Sequence, residues 1–428
     1  MPSFLSRRKG TIAAVAAVLL VPLGLLAVNS ATSSAQGTAA AATPAASGFG
    51  VAPYVDLTNN QEPMVDSAIS SGGLKAFTAA FVIGSGCTAI WGDTLPVTND
   101  PTVSGDISRA TSAGAQVIVS FGGAGGVELA QSCTNLTQLT AAYQSVINTY
   151  HLTHIDFDVE GAAIADPTSF NQRFKAIAAL EAANPGLVVS VTIPVLPDGP
   201  DANGKTFLQA AKTDGARIDL INIMTMDFYG TWDTNAQMGA YSTQAAQATL
   251  TFAKTIWPSD TYANIGITPM IGQNDDPAEK FTEADAHTVV SFASSNGIGR
   301  LAFWSVDRDQ PCAGSASGLP SCSEISQSKL DFTKIFTSFT GGGTGGGGTT
   351  TTAPPTTTTT APPTTTTTTG SGGTGAAGCN GVAAWNSGKA YTGGATVTYN
   401  GHVWTAKWWT QADTPGGAAD VWTEGAAC

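Results

Sequence analysis

Eight short apolar runs, set at regular intervals between residues 48 and 340, constrain this chain more than any other feature. They are Gly50–Val55, Ala76–Ile83, Gln116–Phe121, His154–Val159, Leu187–Ile193, Leu220–Met226, Asn264–Pro269 and Gly299–Val306. Most are separated by stretches with helical apolar spacing. One such stretch carries Phe170, Phe174, Ile177 and Leu180 and stops at the breaker Asn184-Pro185-Gly186. Eight strands alternating with helices over roughly 290 residues predict an α/β chain folded as a (β/α)₈ TIM barrel. A doubly wound open sheet is the rival architecture, but no G-x-G-x-x-G phosphate turn follows an early run.

In such a barrel the reactive side chains sit at the C-terminal ends of the strands. Run three ends in Ser120-Phe-Gly-Gly123, run four in Asp156-Phe-Asp-Val-Glu160 and run six in Met224-Thr-Met-Asp-Phe-Tyr-Gly230; run eight carries Trp304 and Asp307. Asp156, Asp158 and Glu160 alternate with Ile155, Phe157 and Val159. With a period of two, the acids share one face and the apolar residues the other. The apolar face meets the helices, so the acids point inward. Carboxylates so close repel, which raises at least one pKa and keeps one proton bound near neutral pH. Glu160, the outermost, is the natural general acid. A calcium loop also has acids at this spacing, but its twelfth position is Pro167 instead of Glu. Neither a metal nor a cofactor is expected.

These residues resemble glycoside hydrolase family 18 chitinases. Ser120-Phe-Gly-Gly123 is similar to the family's S-x-G-G signature, and Ile155-Asp-Phe-Asp-Val-Glu160 to the end of its D-G-x-D-x-D-x-E signature. Met224–Gly230 resembles its sixth-strand M-x-Y-D segment, and Ala302–Asp307 its eighth-strand tryptophan. The resemblance implies that Glu160 protonates the glycosidic oxygen. It implies that Asp158 and Asp227 hold the substrate's N-acetyl group, that Asp156 tunes the proton of Asp158, and that Trp304 floors the pocket. The implied mechanism is retaining and substrate-assisted, the acetamido oxygen attacking C1. Two departures stand out. Thr153 and His154 occupy the places of the family's Asp and Gly, and Met226 occupies that of a tyrosine which donates to the acetamido oxygen. Strand alternation leads us to expect Tyr229 to supply that hydroxyl. Ser120 reads as structural, letting Gly122 and Gly123 approach other strands. The same barrel and acids also suit an endo-β-N-acetylglucosaminidase of N-glycans or a non-catalytic chitin-binding lectin.

The composition changes at Gly341, and residues 341–378 are Gly, Thr and Pro with almost nothing apolar. This is a linker reaching between roughly 30 Å as a coil and 120 Å fully extended. Beyond it lie residues 379–428, whose last 25 residues hold four of the nine tryptophans: Trp404, Trp408, Trp409 and Trp422. They cannot all be buried in a unit so small, which points to a binding face. Ala384-Trp385, Tyr391, Tyr399-Asn-Gly401 and Ala406-Lys-Trp-Trp-Thr410 resemble the family 5/12 chitin- and cellulose-binding modules, small all-β units. The resemblance implies a sugar platform of Tyr391, Trp408 and Trp409 over a core of Trp385, Trp404 and Trp422.

At the N-terminus, Arg7, Arg8 and Lys9 precede the apolar stretch Thr11–Val28, with Ser33 and Ala35 at cleavage spacing. Residues 1–35 therefore read as a secretory signal followed by a flexible segment to residue 47, and a secreted, extracellular protein is expected. Six cysteines in an exported chain favour disulfides. Of the 15 pairings that six allow, sequence proximity favours Cys379–Cys428, Cys312–Cys322 and Cys87–Cys133. With a formal net charge of −13, the chain lacks the basic face that nucleic acid needs. A monomer acting on chitin and chitooligosaccharides, with no membrane contact once the signal is removed, is the resulting expectation.

Overall fold

The computed structural model describes residues 49–341 and 382–427, apart from 59–61, 93, 99, 230–231, 233–236, 313–319, 387–388, 392–394, 407–409, 412–413 and 418–420. The expected signal and the segment after it, nearly all of the linker, Trp408, Trp409 and the Cys379–Cys428 pair lie outside the described residues.

All eight runs contain strands. They are β1 (Tyr54–Asp56), β2 (Ala76–Ser85), β3 (Gln116–Gly122), β4 (His154–Asp158), β5 (Val188–Pro194), β6 (Leu220–Met224), β7 (Ile265–Thr268) and β8 (Arg300–Leu301). Each is followed by a helix: α1 (Glu62–Ser70), α2 (Pro101–Ser112), α3 (Leu136–Tyr150), α4 (Pro167–Ala183), α5 (Ala202–Thr213), α6 (Met238–Ile256), α7 (Glu283–Asn296) and α8 (Asp331–Thr337). Consecutive strands pair in parallel from β1 to β8. The ring closes where the Ala52 and Tyr54 amides donate to the carbonyls of Leu301 and Phe303 at 2.9 and 3.0 Å. The chain is thus a closed (β/α)₈ barrel.

Local signals explain the elements. Asp166 accepts from the Thr168 and Ser169 amides ahead of Pro167, which starts α4. The helix then buries Phe170, Phe174, Ile177 and Leu180, the spacing read from the sequence. Thr282 and Asp285 form a capping box on α7, which ends at left-handed Gly297. Ile155 and Phe157 on β4, and Val159 just after it, are fully buried in the hydrophobic core. Trp91 is core as well, its indole N–H donating to the Tyr150 hydroxyl at 2.8 Å.

Two disulfides join Cys87 to Cys133 and Cys312 to Cys322. The first ties the antiparallel strand Thr88–Trp91, which extends from β2, to the short helix Leu129–Ser132 beyond β3.

The C-terminal module is all β. Its strands β9 (Ala390–Tyr391), β10 (Thr396–Tyr399), β11 (His402–Ala406), β12 (Thr410–Gln411) and β13 (Trp422–Ala427) form a two-stranded pair, β9–β12, and a three-stranded sheet, β10–β11–β13. Its core holds Val397, Ala406, Val421 and Trp422, with Trp385 and Trp404 packed against it. The platform expectation fails for Tyr391, which is only 6% exposed. Its ring meets Trp422 edge-on at 5.2 Å and its hydroxyl accepts from the Asn386 amide. A unit this small needs that ring for its core more than for its surface.

Candidate active site

Register brings the acids together with partners from other strands. Asp156 on β4 lies level with Ser120 on β3 and Ser190 on β5, and Asp158 lies level with Gly122 and Thr192. Asp156 is fully buried and accepts from four hydroxyls. Tyr54 and Ser120 reach its Oδ2 at 2.9 and 2.8 Å, Ser190 its Oδ1 at 2.5 Å, and Thr192 its Oδ1 at 2.9 Å. Ser120 is therefore a direct partner of the acid ladder as well as part of a close-packed turn. Asn222 and Thr268 extend this polar layer, Asn222 donating to Thr192 at 3.1 Å and accepting from Thr268 at 2.9 Å.

The two glycines after Ser120 are required by space. Gly122 has φ +108°, and a Cβ there would come within 2.0 Å of the Asp158 carbonyl oxygen. The Gly123 amide donates to that same oxygen at 3.0 Å. A side chain at 122 would push β4 away from β3 just where the acids stand.

Asp158 is buried and its carboxyl is raised well above the ordinary carboxylate range, first by burial and then by the neighbouring charges of Glu160 and Asp156. Glu160 follows β4 in extended conformation, immediately before the short helix Gly161–Ala165, and is half-buried. Its carboxyl is pushed up to about 7, by burial first and by the charge of Asp275 second. The alternation read from the sequence thus gives a ladder running outward from a fully hydrogen-bonded acid, Asp156, to a carboxyl, Glu160, that still holds its proton near neutrality.

Asp158 and Glu160 open into a cleft with a volume of about 380 Å³. Tyr54, Phe81 and Trp304 line one side of it. Phe81 and Trp304 stack with centroids 5.6 Å apart. Ile164, Val195 and Leu196 add aliphatic surface to the lining. Met224, Met226, Met270 and Asp227 also line the cleft. Asp227 has φ +50°, accepts from the Asp276 amide at 2.9 Å, and is raised well above its usual range by burial and by Asp275.

Tyr229 is a correction. It is not among the residues lining the cleft. Strand β6 ends at Met224, and Asp227 and Tyr229 both take left-handed φ values of 50° and 55°. Strand alternation therefore does not carry through to Tyr229. Its amide instead donates to Glu279 at 2.8 Å.

Sequence reasoning missed Tyr54, Thr192 and Asp275. Asp275 reaches the cleft on the hairpin in which Gly272 and Gln273 pair with Phe281 and Lys280. Its signal was available: an Asn274-Asp-Asp-Pro277 loop directly beyond a barrel strand. Among the described residues no group of His, Cys, Asp and Glu has the arrangement of a metal site.

Known proteins resemble both parts of the chain. Glycosyl hydrolases family 18 matches residues 51–271, just over half of the chain, and carbohydrate-binding module family 5/12 matches residues 384–423. The chain is 30% identical over 309 residues to a probable bifunctional chitinase/lysozyme of Escherichia coli (strain K12), which covers 68% of this chain and 34% of that protein. It is 30% identical over 276 residues to endochitinase 11 of Metarhizium anisopliae, covering 61% and 53%. The chain thus spans about a third and about half of the length of these two relatives. Among solved structures, active domain 2 of a chitinase from Pyrococcus furiosus superposes with a TM-score of 0.61 at 31% identity, covering 68% of this chain and 94% of that one. Catalytic-site mutants of the same domain, solved with chito-oligosaccharides, superpose equally well.

Proposed function

Because this chain belongs to glycosyl hydrolases family 18, we propose that it is a chitinase, cleaving β-1,4-linked N-acetylglucosamine by a retaining, substrate-assisted mechanism. The observation that carries the reading is the ladder Asp156–Asp158–Glu160, whose outermost carboxyl keeps a proton up to about pH 7 at the rim of the cleft.

Glu160 gives its proton to the glycosidic oxygen. Asp158, its carboxyl raised by burial and then by the charges of Glu160 and Asp156, accepts a hydrogen bond from the acetamido N–H. The acetamido oxygen, already held near C1, attacks in place of an enzyme carboxylate, so that proximity replaces a protein nucleophile. Asp158 and Asp227 orient the acetamido group and stabilise the positive charge growing on its nitrogen. Trp304, stacked on Phe81, offers a flat apolar face to one sugar ring. Water then opens the oxazolinium ring with Glu160 as base.

The C-terminal module, matched to carbohydrate-binding module family 5/12, holds the enzyme at the polysaccharide surface and favours chitin over N-glycans. The basic and apolar character of residues 1–35 supports export as part of the same reading. Among the described residues no helix is long and apolar enough to cross a membrane.

One assay tests the function: colloidal chitin and a high-mannose glycoprotein are each incubated with the protein and the released sugars identified. Chitooligosaccharides from chitin alone are expected. Release of glycan from the glycoprotein alone would favour an endo-β-N-acetylglucosaminidase, and release from neither would favour a lectin.

A further inference from the structure

The lower barrel interior holds a cation that the mechanism above does not use. Arg300, on β8, is 2% exposed. Its neighbour across the β7–β8 register is Gly266, and on the far side of Gly266 lies Asn222. The bare Gly266 makes room for Asn222, whose side-chain oxygen a Cβ at 266 would meet at 2.5 Å. The guanidinium reaches across the barrel from β8 to β5. There its Nη1 donates to Ser190 Oγ at 3.0 Å, and Ser190 Oγ donates to Asp156 Oδ1 at 2.5 Å.

We infer that Arg300 is a positioning residue for the acid ladder: acting through Ser190, it supplies the buried positive charge that faces Asp156, the innermost acid. This rests on the proposed chitinase reading, for which the ladder is the proton donor's support.

Three observations converge on it. The guanidinium lies two hydrogen bonds from Asp156, through Ser190. The charged and titratable groups facing Arg300 are Asp156 and His154 from β4 and Tyr54 from β1. Among these His154 does not compete as a cation, because burial and then Arg300 itself push its imidazole down to about 3. Lastly, burial disfavours the charged guanidinium, and Asp156 and then Tyr54 offset part of that cost. An uncompensated cation at this depth would be expensive, so the Arg300–Asp156 attraction works in both directions.

The sign follows. Arg300 favours ionised carboxyls. Without it, the ladder takes up protons at higher pH, and the negative charge needed opposite the growing positive charge on the substrate is lost sooner on acidification. The acid limb of the kcat/KM profile therefore moves to higher pH. The basic limb, which reports the more distant Glu160, moves less.

The test is the pH profile of kcat/KM on a soluble chitooligosaccharide for the full chain, its Arg300→Lys variant and its Arg300→Met variant. The Met variant is expected to raise the acid limb by about 1 pH unit or more, costing about tenfold in kcat/KM one unit below the wild-type limb. The Lys variant, which keeps the charge, is expected to restore most of it. A folded Met variant with an unmoved acid limb overturns the inference, and so do Lys and Met variants displaced equally, since both outcomes assign Arg300 a packing role. If the Met variant does not fold, Ser190→Ala decides: it must raise the acid limb with Arg300 still present, and an unmoved limb overturns the inference. Carboxyl-carbon NMR titration of the aspartates in wild type and variant separates the two layers. Wild type inactive on chitooligosaccharides defeats the chitinase reading, whereas displaced Asp156 and Asp158 titrations would still uphold the role of Arg300 and undisplaced ones would overturn it.

Discussion

Replacing Glu160 by Gln should remove activity and, above neutral pH, make the protein more stable. The carboxyl rises from its ordinary value of 4.5 to about 7 in the folded chain. The folded state therefore binds that proton more tightly than the unfolded state does. The contribution is fully present below about pH 4.5 and is lost as pH rises through about 7. At 1.36 kcal/mol per unit, a displacement of this size corresponds to about 3 kcal/mol. Glu160 is only half-buried, and solvent screening reduces the figure to roughly 1–3 kcal/mol. Glutamine never ionises, so the variant escapes the loss. For a barrel of this size the gain amounts to a rise of several degrees in Tm, at about 2–4 °C per kcal/mol. The assay is thermal unfolding of wild type and variant at pH 5 and pH 8.5, alongside turnover of a soluble chitooligosaccharide. The difference in Tm should be small at pH 5 and favour the variant at pH 8.5, while turnover falls at least roughly 10²–10⁴-fold, the usual contribution of a positioned acid. A stability difference that is the same at both pH values would refute the argument that burial holds the proton on Glu160.

Asp275→Asn should lower the basic limb of the pH–rate profile by roughly 1 pH unit or less, because it removes the like charge that is the second cause of the Glu160 shift after burial; an unmoved limb would detach Asp275 from Glu160. Gly122→Ala should destabilise the barrel by at least about 2 kcal/mol and depress turnover, because a Cβ would strike the Asp158 carbonyl oxygen in a backbone that needs φ +108°; denaturant unfolding measures it, and a neutral result would refute the close approach of β3 and β4. Removing the residues beyond Gly341 should lower activity on insoluble chitin and leave soluble oligomers nearly unaffected, because the module raises local concentration at a surface and adds no reacting group; equal losses on both would mean that it supports the barrel.

Most of the architecture was readable from the residues because a TIM barrel writes its period plainly. Each strand is a short apolar run, and the helices between them carry their own spacing and caps, as Asp166 and Pro167 do for α4. The alternation in Ile155–Glu160 likewise placed three acids on one face, since β4 is regular through Asp158. The same reasoning failed at Tyr229 because β6 stops at Met224 and the backbone turns left-handed twice within three residues. The partners of Asp156 were hidden for another reason. Tyr54, Ser190 and Thr192 are unremarkable in their own segments, and only the register across strands β1, β4 and β5 makes them neighbours. Arg300 was the least visible, because nothing in its own segment shows that it reaches Ser190 on β5. In the small module, composition pointed to exposed aromatics but did not determine which, and Tyr391 went to the core.

The central claim is that Glu160 donates a proton while the substrate's own acetamido group attacks, with no enzyme carboxylate forming a bond to C1. Proton NMR of the first product released from a chitooligosaccharide tests it most directly. Two inversions at C1 predict the β anomer at first release, decaying later to the equilibrium mixture. An initial α anomer would show direct attack by water and would contradict the roles assigned to Asp158 and Asp227.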